Sequence, residues 1–275
     1  MSILKMTDAF TFHISTVQAS AFRILVEALK EILTEANFTF DSTGIKVIAM
    51  DSSHTVLVHL KLEADSFCSY YCPESITLGI GLMNMFKLMK TMNNNSILTL
   101  YLEKQDPNRL GIKIENGDKE TTTTYKLNVL DLPQNEMNIP PATFTSVITM
   151  CAADFQKICR DMYNLSDTIE VKSIDEQLFF SCKGDFAEQE TIIGTTAAQG
   201  EEYSNKTKKT LIHNNSNKIV QGIYSLKFLV LFTKCTNLSN SIELYLKNDF
   251  PLILKYSCAT LGTIKLVLAP QINDI

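Results

Sequence analysis

The chain has 275 residues, 45% of them hydrophobic and 20% charged, with a formal net charge of −5. This is a globular composition, and the length suits one large domain or two of ordinary size. It excludes a disordered chain and a protein that coats nucleic acid with its whole surface, but it leaves room for a local basic face.

No uninterrupted apolar run reaches the length of about 18 residues that marks a membrane-spanning helix. The nearest, 219–232, is broken by Gln221, Gly222 and Lys227. The N-terminal MSILKMTDAFTF lacks the basic and then apolar regions of a secretion signal, so an intracellular chain is expected. Seven cysteines, at positions 68, 72, 151, 159, 182, 235 and 258, are odd in number and scattered. They read as reduced thiols. Cys68 and Cys72 lack a second pair or histidines at zinc spacing, so no metal and no other cofactor is expected.

A strand over 10–16 leads into a helix over 19–33, where Phe22, Leu25, Val26, Leu29 and Leu33 recur at helical spacing. A strand over 37–40 turns at Ser42, Thr43 and Gly44. Then Ile45, Val47 and Ala49, and after them Val56, Val58 and Leu60, alternate as half-buried strands do. Asp51-Ser52-Ser53-His54 joins the two runs as a polar corner that bonds to its own backbone. A strand over 75–79 precedes a second helix over 82–92, with Met85, Phe86, Leu88 and Met89 on its apolar side. Strands follow over 97–103, 110–115 and 120–130. Residues 131–142 carry three prolines and no clear period, which reads as a linker.

Beyond the linker a strand over 143–150 leads into a helix over 152–165, then strands over 168–173, 177–183 and 190–195. A polar loop over 197–209 precedes strands over 210–213 and 218–224, a fourth helix over 225–235, and strands over 241–247, 252–258 and 262–268. The halves repeat. Leu100-Tyr101-Leu102 matches Leu244-Tyr245-Leu246, Lys90 matches Lys234 at the same offset, and Phe22 matches Phe155. Register shared over a helix, a turn and a strand points to duplication.

Each of the four helices carries a basic pair three or seven residues apart, a spacing that returns to one face. The pairs are Arg23 and Lys30, Lys87 and Lys90, Lys157 and Arg160, and Lys227 and Lys234. Four such pairs in an acidic chain point to one common polyanion, and a phosphate backbone is the natural candidate. Glu27 and Asp161 lie close to these faces and weaken them. No recognition helix, zinc finger or stacking aromatic pair is visible, so contact without reading of sequence is expected. GxGxxG, P-loop, GxSxG and HExxH are all missing, and no catalytic residues and no enzyme activity are expected.

Several segments resemble the eukaryotic sliding clamp, the proliferating cell nuclear antigen family. They are Glu27-Ala-Leu-Lys30, Met50-Asp-Ser-Ser-His54, Ile158-Cys-Arg-Asp161, Phe232-Thr-Lys234 and Leu268-Ala-Pro-Gln-Ile272. The resemblance implies an α+β DNA clamp fold: two similar domains, 1–132 and 143–275, joined by a connector over 133–142. Each would have two helices packed on antiparallel sheets, and three chains would close into a ring around duplex DNA. The ring would tether DNA polymerase and other replication and repair proteins, with a clamp loader as a further partner. It would work in the nucleus, or at cytoplasmic replication sites if viral, with no membrane involved.

Carried over by position, the eight basic residues named above would face DNA. Met50, His54, Met137, Ile139, Pro251, Val267, Leu268, Ala269, Pro270 and Ile272 would form a groove for a motif with a glutamine and two aromatics. Thr121, Thr123 and Tyr125 on one edge, and Thr191, Ile192 and Ile193 on another, would join the subunits. Three positions depart from the family: Ile24 replaces a common lysine, Val267 a common groove tyrosine, and Asp175 stands where the regulatory modified lysine is usual. A processivity factor of the same fold that holds DNA by charge, as a monomer or dimer, is the alternative reading.

Overall fold

The computed structural model describes residues 9–133, 142–194, 210–214 and 219–271. The chain forms two compact units, Met1–Asn138 with Ser257–Ile264, and Ile139–Tyr256 with Lys265–Ile275. In the first, the order is β1 (Phe10–Thr16), α1 (Ala19–Ile32), β2 (Glu35–Asp41), β3 (Gly44–Met50), β4 (Val56–Glu63), β5 (Ser69–Tyr71), β6 (Ile76–Gly81), α2 (Leu82–Met89), β7 (Ser96–Glu103), β8 (Asp106–Asn116) and β9 (Thr121–Asn128). Its strands pair antiparallel in two sets, β5-β1-β7-β8-β9 and β6-β2-β3-β4.

The second unit runs β10 (Ser146–Cys151), α3 (Ala152–Tyr163), β11 (Thr168–Ile174), β12 (Gln177–Lys183), β13 (Glu188–Gly194), β14 (Leu211–Asn214), β15 (Val220–Ser225), α4 (Leu226–Phe232), β16 (Ser241–Leu246), β17 (Leu252–Cys258) and β18 (Gly262–Leu268). Its sets are β14-β10-β16-β17-β18 and β15-β11-β12-β13. Adding nine to every strand number of the first unit gives the second. The match extends to register, since Ile14 faces Leu100 in one half and Ile148 faces Leu244 in the other. The repeat read from short segments is a duplication of the whole topology.

Burial explains the elements. In α1 the buried residues Phe22, Leu25, Val26 and Leu29 form one stripe at helical spacing, and in α3 Phe155, Ile158, Cys159 and Met162 form the same stripe. Phe12 on β1 stacks on Phe40 of β2, ring centres 4.4 Å apart, and ties the two strand sets of the first unit together. The equivalent positions of the second unit hold Ser146 and Ser173, both fully buried, whose hydroxyls hydrogen-bond at 3.0 Å. The same inter-sheet contact is apolar in one half and polar in the other.

Several boundaries differ from the sequence reading. The second helix stops at Met89, with Lys90 as its cap, and does not continue to 92. The fourth is α-helical only over Leu226–Phe232 and then tightens into a 3-10 helix over Thr233–Leu238. There the Thr233 hydroxyl donates to the Val230 carbonyl at 2.7 Å, and the Gln156 amide donates to the Thr233 carbonyl at 3.0 Å. Both bonds engage carbonyls at the end of the helical ladder. Strand β5 was not anticipated, because Ser69-Tyr70-Tyr71 is too short to show a period. The loop over 197–209 and most of the connector lie outside the described residues.

Truncating Phe40 to Ala should lower stability by about 3–5 kcal/mol, the usual cost of emptying a buried aromatic site. The same change at Phe186, which is 79% exposed, should stay within about 0.5 kcal/mol. Thermal unfolding of the two variants measures the contrast, and equal losses would contradict the assignment of Phe40 to the core.

Candidate functional site

The basic residues are not equivalent once placed. In the first unit α1 packs on α2, and this contact removes two cations from use. The Lys30 ammonium pairs with Glu31 and lies 4.8 Å from the centre of the Phe86 ring, leaving its side chain 11% exposed. The Arg23 guanidinium stands 3.6 Å from Glu27, one helical turn away. Lys87 and Lys90, at the C-terminal end of α2, are exposed and have no ion pair among the described residues. Positive charge there also suits the helix dipole.

In the second unit α3 packs on α4. Lys157 and Arg160 are exposed on α3, again without an ion pair among the described residues, although Asp161 is exposed beside them. Lys227 is exposed on α4, its ammonium 5.8 Å from the Phe228 ring centre. Lys234 is exposed in the 3-10 turn. The seven-residue spacing that put Lys227 and Lys234 on one α-helical face does not apply, because α4 ends at Phe232. Four equal basic pairs were expected. Six free cations and two engaged ones are found.

The polar corner is organised by one carboxylate. Asp51 Oδ1 accepts from the Thr55 N–H at 2.8 Å and from the Val56 N–H at 2.7 Å. Its Oδ2 accepts from the Ser53 N–H at 3.1 Å and from the Ser53 hydroxyl. These bonds bend the chain so that His54 adopts a left-handed φ of 55° and is exposed. Burial alone would raise the Asp51 pKa. The Ser53 hydroxyl and the N–H groups of Val56, Ser53 and Thr55 outweigh it, and the carboxyl titrates below its ordinary range.

Beside the corner, on the outward side of β2 and β3, lies a cleft of about 710 Å³. Leu33, Ile48, Met50, Leu132 and Pro133 supply its apolar walls, and Asp41 pairs with Lys46 at 2.8 Å along it. The Asn37 side-chain amide donates to the Pro133 carbonyl at 3.0 Å, and the Leu130 N–H donates to the Gly79 carbonyl at 2.8 Å. The root of the connector is thereby fastened across β6 and β2. Gly79 permits it, since a Cβ there would lie 2.3 Å from the Leu130 oxygen. Sequence reasoning reached Met50 but missed the other four wall residues. The outward place of Ile48 in an alternating strand was the available signal.

Other groove positions divide. Pro251, Val267, Ala269 and Pro270 are half-buried. Leu268, expected in the groove, is fully buried, because the alternation of β18 turns it into the core. Met137, Ile139 and Ile272 lie outside the described residues. Strands β9 and β13 each end a strand set, paired on one side only, with β8 and β12 respectively. Thr121 and Thr123 are exposed and Tyr125 half-buried on β9. Thr191 and Ile193 are half-buried on β13, and Ile192 is 49% exposed.

Two halves of one α+β topology, with cationic helix faces and open strand edges, define a protein of the DNA clamp class. The chain matches the N-terminal domain of proliferating cell nuclear antigen over residues 11–136 and the C-terminal domain over 138–271. It is 37% identical over 271 residues to the probable DNA polymerase sliding clamp 1 of Paramecium bursaria Chlorella virus 1, covering 97% of this chain and 99% of the relative. It is 31% identical over 258 residues to the proliferating cell nuclear antigen of Chaetomium thermophilum, covering 94% and 96%. The chain belongs to the proliferating cell nuclear antigen family, whose members are DNA sliding clamps and polymerase processivity factors.

The carboxylates beside the cleft generate a pH prediction. Burial would raise the Asp41 pKa, but the Lys46 ammonium and the Thr43 hydroxyl and N–H bring it from 3.8 down to about 2. A carboxyl with a depressed folded pKa stabilises fully above its unfolded value, and that stability is lost as pH falls through the folded one. Asp41→Asn and Asp51→Asn should therefore be less stable than the parent at pH 7, with the difference shrinking between pH 4 and 2. Melting temperatures across that range measure it. A difference that persists unchanged at pH 2 would show that ionisation is not the source.

Proposed function

We propose that this clamp encircles duplex DNA as a closed ring of three copies and tethers DNA polymerase to its template without performing chemistry of its own. One observation carries the ring. In the first unit the tip of the β17–β18 hairpin lies against β4, with the Glu63 N–H donating to the Leu261 carbonyl at 2.8 Å. Gly262 permits that approach, since a Cβ there would lie 2.1 Å from the Lys61 oxygen. By the repeat, β9 is the counterpart of β18 and β13 the counterpart of β4. A second copy offers each open edge the partner it lacks, and open edges are otherwise a liability. Such a head-to-tail contact generates a ring when its rotation closes.

In this reading the six free cations, Lys87, Lys90, Lys157, Arg160, Lys227 and Lys234, meet phosphates without reading bases. Closure retains the DNA, so weak and diffuse contacts suffice and allow sliding. Partner proteins present a glutamine and two aromatics to a groove that includes Met50, His54, Pro251, Val267, Ala269 and Pro270. Met137, Ile139 and Ile272 extend it, and a clamp loader opens the ring. The site of action is wherever the DNA is replicated, in the nucleus or in cytoplasmic replication sites.

Two experiments test this. Ile192→Asp on one edge, or Tyr125→Ala on the other, should shift the solution mass from three times 30.9 kDa toward one while each chain stays folded. A parent protein of monomer mass, or variants that remain trimeric at submicromolar concentration, would contradict the edge assignment. For DNA, replacing Lys87, Lys90 and Arg160 with Ala should weaken binding to all duplex sequences alike and flatten its salt dependence. Arg23→Ala with Lys30→Ala should change the salt dependence far less. Equal effects of the two sets would refute the distinction between free and engaged cations.

A further inference from the structure

The outward face of β11, β12 and β13 repeats, position for position, the face that carries the cleft in the first unit. Asn37 faces Gly79 and Thr39 faces Lys46 in one half; Glu170 faces Ile223 and Lys172 faces Phe179 in the other. By these registers Glu170 takes the place of Asn37, Ile223 of Gly79, Ser181 of Ile48 and Lys183 of Met50. The second face also bears a cleft, of about 580 Å³, lined by Glu170, Ser181, Lys183, Glu188, Glu190 and Ile223 among others.

In the first unit a stretch of polypeptide already lies at this place. Leu130 is tied to Gly79, and Pro133 takes the amide of Asn37. The second unit makes the first tie at the equivalent residue, where the Gln271 N–H donates to the Ile223 carbonyl at 2.8 Å. The second tie has changed character. Asn37 donates to a carbonyl, whereas an ionised Glu170 only accepts. A chain crossing here must therefore bring donors.

The charges say which donors. Lys183 is held by Glu188 at 2.8 Å. Glu170 has only the Ser181 hydroxyl, at 3.3 Å, and Glu190 has no ion pair among the described residues. Glu170, Ser181 and Glu190 form one row across three neighbouring strands. The two carboxylates thus rise about 10 Å apart, the spacing of alternate strands, which three residues of extended chain also span.

We propose that this second cleft docks an extended segment of a partner protein carrying two basic side chains three residues apart, one on Glu170 and one on Glu190. The occupant differs from that of the first cleft, whose walls are apolar. One partner or two partners can thus be held on a single chain without competing for one groove.

The test uses the intact assembly and a fluorescein-labelled octapeptide, GAKAAKAG, with GAQAAQAG as control, read by fluorescence anisotropy at low salt. The lysine peptide should bind and the glutamine peptide should not. Glu170→Gln with Glu190→Gln should weaken binding about threefold to tenfold, the range of two exposed charge pairs. Asp65→Asn with Glu74→Gln, an equal charge change on exposed positions of the other unit, should leave it intact. Carbodiimide cross-linking of the peptide to the unsubstituted protein, mapped by mass spectrometry, should join its lysines to Glu170 or Glu190, and this reading does not depend on how a variant folds. No binding to the unsubstituted protein, equal losses in both double variants, or cross-links elsewhere would overturn the proposal while leaving ring assembly and DNA binding untouched.

Discussion

Burial of one stripe of each helix against one face of each sheet is the constraint from which the functional surfaces follow. Phe22, Leu25, Val26 and Leu29 in α1, with their counterparts Phe155, Ile158, Cys159 and Met162 in α3, fix which side of each helix is inside. Arg160 and Lys157 are then exposed because the stripe leaves them no other direction. The same alternation in β2 and β3 turns Asn37, Ile48 and Met50 outward to wall a cleft, while Phe38, Phe40 and Val47 fill the core. Function is carried by what burial leaves over.

Duplication lets that constraint be met twice with different chemistry. Phe12 on Phe40 becomes Ser146 on Ser173, and an Asn37 that donates becomes a Glu170 that accepts. The backbone plan tolerates these exchanges because strand register, set by alternation, does not depend on which residue occupies an outward position. Electrostatics diverges in the same way. The first helix has neutralised its own cations with Glu27, Glu31 and the Phe86 ring, whereas α3 keeps Lys157 and Arg160 free.

Much of this was legible in the sequence. The alternation of Ile45, Val47, Val56, Val58 and Leu60 identified β3 and β4, and Asp51-Ser52-Ser53-His54 identified their corner. The matched Leu-Tyr-Leu segments revealed the repeat. What escaped depends on contacts distant in the chain. The end of α4 is influenced by Gln156, 77 residues away, reaching the Thr233 carbonyl. Helical spacing grouped Lys30 with the free lysines, but Phe86 belongs to another helix, and no local pattern shows that the two meet. Leu268 was assigned to a groove by resemblance, although the period of its own strand already turned it inward. The walls of the first cleft were missed because Leu33, Ile48 and Leu132 converge only after the connector root is tied to β2 and β6.

The central claim is that closure, more than charge, keeps the protein on DNA. It is tested most directly by threading the assembly onto linear duplex, blocking both ends with bound protein, and following release in high salt. Encirclement predicts that blocked duplex retains the protein at salt concentrations that screen phosphate contacts, while duplex with free ends loses it rapidly. Equal and rapid release from both substrates would show that charge alone holds the DNA, and would contradict the ring.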